Sequence, residues 1–116
     1  MLTVYRKESK LDSDKVYDVL VNGCLMGKIK NGEKITIDMK DRETLNFTLN
    51  DELSFKLQVV SDKHKSEEIP FSYEEHQTVE FECISDYTEG PLGKFLDKAM
   101  NKTGIKLEKT KDFFLY

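Results

Sequence analysis

The stretch VLVNGCLMGKIKNGEKITIDM, Val19 to Met39, decides how this chain is read. It carries Gly23, Gly27 and Gly32, and a lysine directly follows Gly27. A phosphate-cradling loop needs G-x-x-x-x-G-K-[ST] between a strand and a helix, so that loop amides surround the phosphate and the hydroxyl reaches a metal. Here only three residues separate Gly23 from Gly27, Lys28 is followed by Ile29, and an alternating apolar run comes next. No G-x-G-x-x-G and no βαβ context is present, which excludes the dinucleotide fingerprint. The glycines therefore read as turn and bulge residues. Asn22-Gly23 and Asn31-Gly32 suit tight hairpin turns, where both central residues take positive φ.

Outward from this stretch a period of two dominates. Tyr17, Val19 and Val21 share one strand face; Ile35, Ile37 and Met39 share another. The same holds for Leu45, Phe47 and Leu49, for Leu53, Phe55, Leu57 and Val59, and for Val79, Phe81 and Cys83. Side chains in a strand point alternately to opposite faces, so each run is apolar on one side and polar on the other. Further turns at Asp41-Arg42 and Asn50-Asp51 complete a spacing expected of short consecutive strands. Pro70 in IPFSY suits an edge strand, because proline cannot donate to a ladder. The pattern predicts a mainly β fold: an antiparallel β-sandwich of six to eight strands, immunoglobulin-like in general shape.

The period changes near residue 90. Leu92, Phe95, Leu96, Ala99 and Met100 fall on one helical stripe, with Pro91 suited to the first turn and Gly104 just past the end. The expectation is a helix over 91–103 whose apolar stripe packs on the sandwich, followed by IKLE and DFFLY as one or two strands. One domain then spans 1–116, with a β body over 1–90 and the helix and terminal strand over 91–116 docked against it.

The opening hairpins also resemble those of a group of small, poorly characterised bacterial β-sandwich proteins, and more distantly PEGA-type modules. The resemblance rests on Tyr17, Val19, Val21, Asn22, Gly23, Gly27, Lys28, Ile29, Asn31, Gly32 and Glu33, extended weakly by Phe81 and Cys83. It covers about residues 1–84. It implies a fold and no activity. The following hairpin, KDRETLNF, lacks the group's Gly-x-His, and a charged tail stands where its members often carry a hydrophobic segment.

Composition narrows the function classes. Charged residues make up 34% of the chain, above the usual ~25%, while apolar residues make up 38%. The total charge of −4 is uneven. Residues 91–116 hold six lysines (Lys94, Lys98, Lys102, Lys106, Lys109, Lys111) against Asp97, Glu108 and Asp112, a balance of +3 that leaves −7 for residues 1–90. An acidic body argues against nucleic acid as a partner, since phosphate neutralisation needs a broad basic face. With no apolar run near ~20 residues, no leader-like start and only Cys24 and Cys83, the expectation is a soluble, cytoplasmic, reduced protein.

No set of residues converges on chemistry. His64 and His76 lie near Glu67, Glu68, Glu74 and Glu75, but without the close i, i+4 spacing of metal sites, so no metal and no cofactor is expected. Cys24 lacks an evident base, Cys83 sits on an apolar face, and no G-x-S-x-G elbow is present. Tyr5, Tyr17, Tyr73 and Tyr87 are candidates for lining a small-molecule pocket.

The expected function is therefore a non-catalytic binding or scaffold module, acting through sheet edges or the C-terminal helix on a protein partner or a second copy. The alternative is a small-molecule or sugar-binding protein, or a hydrolase whose site is not advertised. The candidate interaction surface is Lys94, Lys98, Lys102, Phe113 and Phe114, with peripheral contact to a membrane through 91–116 as one use of it.

Overall fold

A computed structural model describes residues 1–38, 54–73, 76–100 and 102–114. Among these, eight strands and one helix follow in order: β1 Leu2–Arg6, β2 Tyr17–Val21, β3 Cys24–Ile29, β4 Lys34–Ile37, β5 Ser54–Val60, β6 Ile69–Ser72, β7 Gln77–Asp86, α1 Gly93–Ala99 and β8 Gly104–Phe114. They form two four-stranded sheets, ordered β4-β1-β7-β8 and β3-β2-β5-β6. The mainly β sandwich expected from the alternation is the fold found. The strand expected at Leu45, Phe47 and Leu49, the turns at Asp41-Arg42 and Asn50-Asp51, and Met39 and Leu53 lie outside the described residues.

The alternating residues form the core. Tyr17, Val19, Val21, Phe55, Leu57 and Val59 project from one sheet and meet Leu2, Val4, Val79, Phe81 and Cys83 from the other, all buried. Phe71 of β6 stacks on Phe55 and sets its edge against Phe81 across the sandwich, each at 5.5 Å between ring centres. Burial pushes the Cys83 thiol up to about 12, so the group is an apolar filler at neutral pH. β6 is an edge strand carrying Pro70, as its proline required.

Two features of the sheets differ from the expectation of antiparallel hairpins. β1 pairs antiparallel with β4 but parallel with β7, in the middle of its sheet. These strands are far apart in sequence, so no short turn dictates their direction. The second concerns the asparagine-glycine pairs. Asn22-Gly23 joins β2 to β3 as a hairpin with both residues at positive φ, 50° and 80°. At Asn31-Gly32 only Gly32 takes positive φ, and the turn carries the chain from β3 in one sheet to β4 in the other. Gly27 lies beside the bulge where Met26 is the extra residue, and a Cβ there would meet the Ile35 side chain at 2.2 Å.

One end of the sandwich is closed by a buried arginine. Leu2, Val4 and Arg6 share the inward face of β1, and Arg6 is only 1% exposed. Its guanidinium lies 3.7 Å from the centre of the Tyr17 ring, which belongs to the opposite sheet. Nη1 donates to the carbonyls of Lys15 and Ile29, and Nη2 to that of Asp12 at 2.6 Å. The Tyr17 hydroxyl in turn shares a hydrogen bond with Ser85 Oγ of β7, and Ser85 donates to the carbonyl of Leu11. The segment over 7–16 is thus tied down by its own main chain.

The correction with most bearing on function is α1. It spans seven residues, shorter than the expected 91–103, and its apolar stripe does not pack on the sheets. Leu92, Phe95, Leu96 and Met100 are all exposed. The rest of the tail does join the body: β8 pairs along the whole of β7, and Ile105 and Leu107 enter the core. IKLE and the start of DFFLY form one continuous strand, with Leu115 and Tyr116 outside the described residues.

Two outcomes check this account. Arg6→Lys keeps a charge but loses the planar fork, so it should lower the free energy of urea unfolding by at least ~2 kcal/mol; an unchanged midpoint would remove the arginine as the closing element. Truncation after residue 90 removes Ile105 and Leu107, each contributing ~1.5–3 kcal/mol, so the shortened chain should lose several kcal/mol although its helix contributes little. A melting temperature equal to that of the full chain would contradict the pairing of β8.

Candidate interaction surface

The surface is built where β7 ends. Tyr87 follows β7 directly, and its ring stacks on His64 at 4.5 Å between centres. Its hydroxyl donates to Asp12 Oδ1 at 2.8 Å. Burial, and then this carboxylate, push the phenol up to about 12. The His64 ring lies over Gly104, whose φ is +99° and where a Cβ would come within 2.3 Å of Nδ1. Only glycine accommodates both the backbone and the ring at that point. Lys65 bridges the sheets at the same corner, pairing with Val60 on one side and Gly104 on the other.

α1 is fastened to this corner by its polar side. The Thr88 amide donates to both oxygens of Asp97, at 2.9 and 3.0 Å. Gly93 is buried against the Thr88 carbonyl so closely that a Cβ would sit 2.0 Å from the oxygen. Past the helix, Lys102 donates its amide to the Asp97 carbonyl and its ammonium pairs with Asp86 at 3.3 Å. Hydrogen bonding from the Thr88 backbone holds the Asp97 carboxyl below its ordinary value, with Lys102 and His64 adding to the effect. The closest contacts with the body are made by a glycine and a carboxylate. Leu92 and Phe95 stand exposed away from them, while Met100 borders a cleft with Lys102, Ile105 and Leu107.

That outward face is the largest apolar feature of this end. Leu92 is 68% exposed, Phe95 73%, Met100 63% and Leu96 43%. Spaced at i, i+3, i+4 and i+8, they occupy one side of the helix, with exposed Ala99 among them. Lys94 and Lys98 are exposed and lie one turn apart along its flank. Clefts border the helix. One, of about 620 Å³, is lined by Lys63, His64, Tyr87, Thr88, Glu89, Gly90, Lys94 and Asp97. Another, of about 350 Å³, lies between Met100, Lys102 and the charged start of β8.

The five residues expected to form an interaction surface are not brought together. Lys94 and Lys98 flank the apolar face, whereas Lys102 is turned back onto Asp86. Phe113 and Phe114 pair with Thr78 and Gln77, at the far end of the ten-residue β7, on the order of 30 Å from α1. The histidines are separated in the same way, His64 beside Tyr87 and His76 just before β7, while Glu74 and Glu75 lie outside the described residues. Among the described residues, no three of the His, Cys, Asp and Glu side chains group so as to hold a metal. Cys24 and Cys83 are free thiols in different sheets. Of the four tyrosines proposed for a pocket, Tyr17 and Tyr73 are buried in the core and Tyr87 lines the larger cleft.

Among the described residues, the outer strands of both sheets carry devices that discourage strand addition. β6 has Pro70 and β4 is four residues long. β3 is bulged. β8 presents Lys106, Glu108, Lys109, Lys111 and Asp112, several of them in ion pairs. Short, bulged, proline-bearing and charged edges all resist pairing with another chain. Among the described residues, no helix is long and apolar enough to cross a membrane.

Comparison with protein-family models, with curated proteins and with solved structures finds no match.

The clasp between α1 and β7 has a pH signature. A carboxyl depressed in the folded state stabilises above its ordinary value of 3.8, and that stabilisation is lost as pH falls through the depressed value. The Thr88 amide resonance should therefore titrate with a midpoint below 3.8, and Asp97→Asn should abolish that titration. A Thr88 resonance insensitive to acid until the whole chain unfolds would mean the clasp is not formed.

Proposed function

We propose that the protein is a non-catalytic binding module whose contact surface is the outward face of α1. The observation that carries this reading is the exposure of Leu92, Phe95, Leu96 and Met100 on a helix clasped by Gly93 and Asp97. Four neighbouring large apolar side chains, each 43–73% exposed, form an exposed apolar patch of the kind that is often functional. The defended edges favour the helix over strand addition as the route of contact. A cytoplasmic location belongs to the same proposal, in keeping with two free thiols. The distant PEGA-like relationship is proposed for the sheet body alone and carries no part of the argument for α1.

A photo-crosslinking amino acid placed at position 95, and separately at position 110 on β8, tests the reading in cells. Both positions are exposed, so neither replacement disturbs the core. Adducts from position 95 and none from position 110 are expected. Adducts from position 110 alone would transfer the function to the sheet edge.

A further inference from the structure

We propose that the occupant of the α1 face is the surface of an anionic lipid bilayer. The proposal rests on the reading of α1 as the contact surface and names what it contacts. Three observations select a bilayer over a folded partner.

The first is shape. The helix borders two clefts, with Met100 at the edge of one, and Leu92, Phe95 and Leu96 stand out from it as a short apolar ridge, the form that enters an acyl boundary. A protein would need a groove made to receive it, whereas a bilayer closes around any convex apolar group. The second is area. Four exposed apolar side chains at a seven-residue helix are few beside the ~20–30 residues a side of a standard interface, so a second copy meeting this face alone lacks the surface for a stable dimer.

The third is charge. Lys94 and Lys98 are exposed beside Phe95 and Ala99, where side chains reaching the headgroup level lie when the ridge is buried. The acid within α1, Asp97, is held by the Thr88 amide on the side fastened to the body. The outward half of the helix thus presents cations and apolar groups, complementary to anionic headgroups over hydrocarbon. Lys102, paired with Asp86, belongs to the clasp and not to this set.

The test is co-sedimentation of the full chain with phosphatidylcholine vesicles, with and without one-third phosphatidylserine. Three proteins are compared: the parent, Phe95→Ser, and the double variant Lys94→Gln/Lys98→Gln. All three changes fall on exposed positions, and equal melting temperatures confirm folding. The parent should bind the serine-containing vesicles, bind neutral ones more weakly, and release as salt rises. At low salt, neutralising the lysines should weaken binding by about fivefold per lysine. Phe95→Ser should weaken binding to both kinds of vesicle. Equal binding to both vesicles, or variants that bind like the parent, would overturn the proposal. Absence of vesicle binding together with protein adducts from position 95 would overturn it while leaving the α1 reading intact. Absence of both would overturn the two together.

Discussion

The stacking of Arg6 on Tyr17 is the constraint from which the arrangement of the α1 end of the molecule follows. The two side chains come from opposite sheets and meet in the core with the guanidinium essentially inaccessible to water. Withdrawing such a charge from solvent costs several kcal/mol, and its hydrogen-bond acceptors among the described residues are main-chain carbonyls. Charge-assisted hydrogen bonds of ~1.5–3 kcal/mol each, with about 2 kcal/mol for a desolvated cation over a ring, are of the size needed to offset that cost. The gain is one of position more than of stability. Carbonyls of Asp12 and Lys15 are held around a planar fork, which restrains the loop over 7–16.

Asp12 shows where that demand is met. Its carbonyl faces Arg6 while its carboxylate receives the Tyr87 hydroxyl, and its φ is 51°. Oδ2 is buried without a hydrogen-bond partner among the described residues. A non-glycine residue at positive φ with a buried unpaired oxygen is locally unfavourable, and the surrounding contacts have to hold it there. Through Asp12 the arginine fixes Tyr87; through Tyr87 it fixes His64; and Gly104 begins β8 beneath that ring. The platform for α1 is therefore tied through these contacts to the core behind it.

The sequence reveals those features that a local period can express. Each described strand of the expected core appears because successive side chains face opposite ways, and Val79, Phe81 and Cys83 lie where that period puts them. Arg6 was hidden by its charge. It stands two residues after Val4 on the same face of β1, but an arginine at the edge of RKESKLDSDK reads as the start of a solvated loop. Asn31-Gly32 was legible as a turn and not as a crossing between sheets. A single positive φ at Gly32 serves either geometry, and what decides is the pairing of β4 with β1. The candidate surface was half legible: Lys94 and Lys98 flank the apolar stripe, and the distance separating Phe113 and Phe114 from it depends on the run of β8.

The helix shows why amphipathicity identifies a face without identifying its neighbour. A stripe of Leu92, Phe95, Leu96 and Met100 states that an apolar surface exists; in most small domains the nearest core claims it. Here Ile105 and Leu107 of β8 already cover the neighbouring part of the sandwich, and Arg6 with Tyr17 closes its end. Orientation was instead set by residues that look unimportant in the pattern. Gly93 permits contact with the Thr88 carbonyl that any side chain would block, and Asp97 takes the Thr88 amide that β7 leaves unpaired as it ends. Those two contacts put Gly93 and Asp97 against the body and leave Leu92 and Phe95 exposed. A clasp of one glycine and one carboxylate thus holds the helix while four large side chains stay exposed.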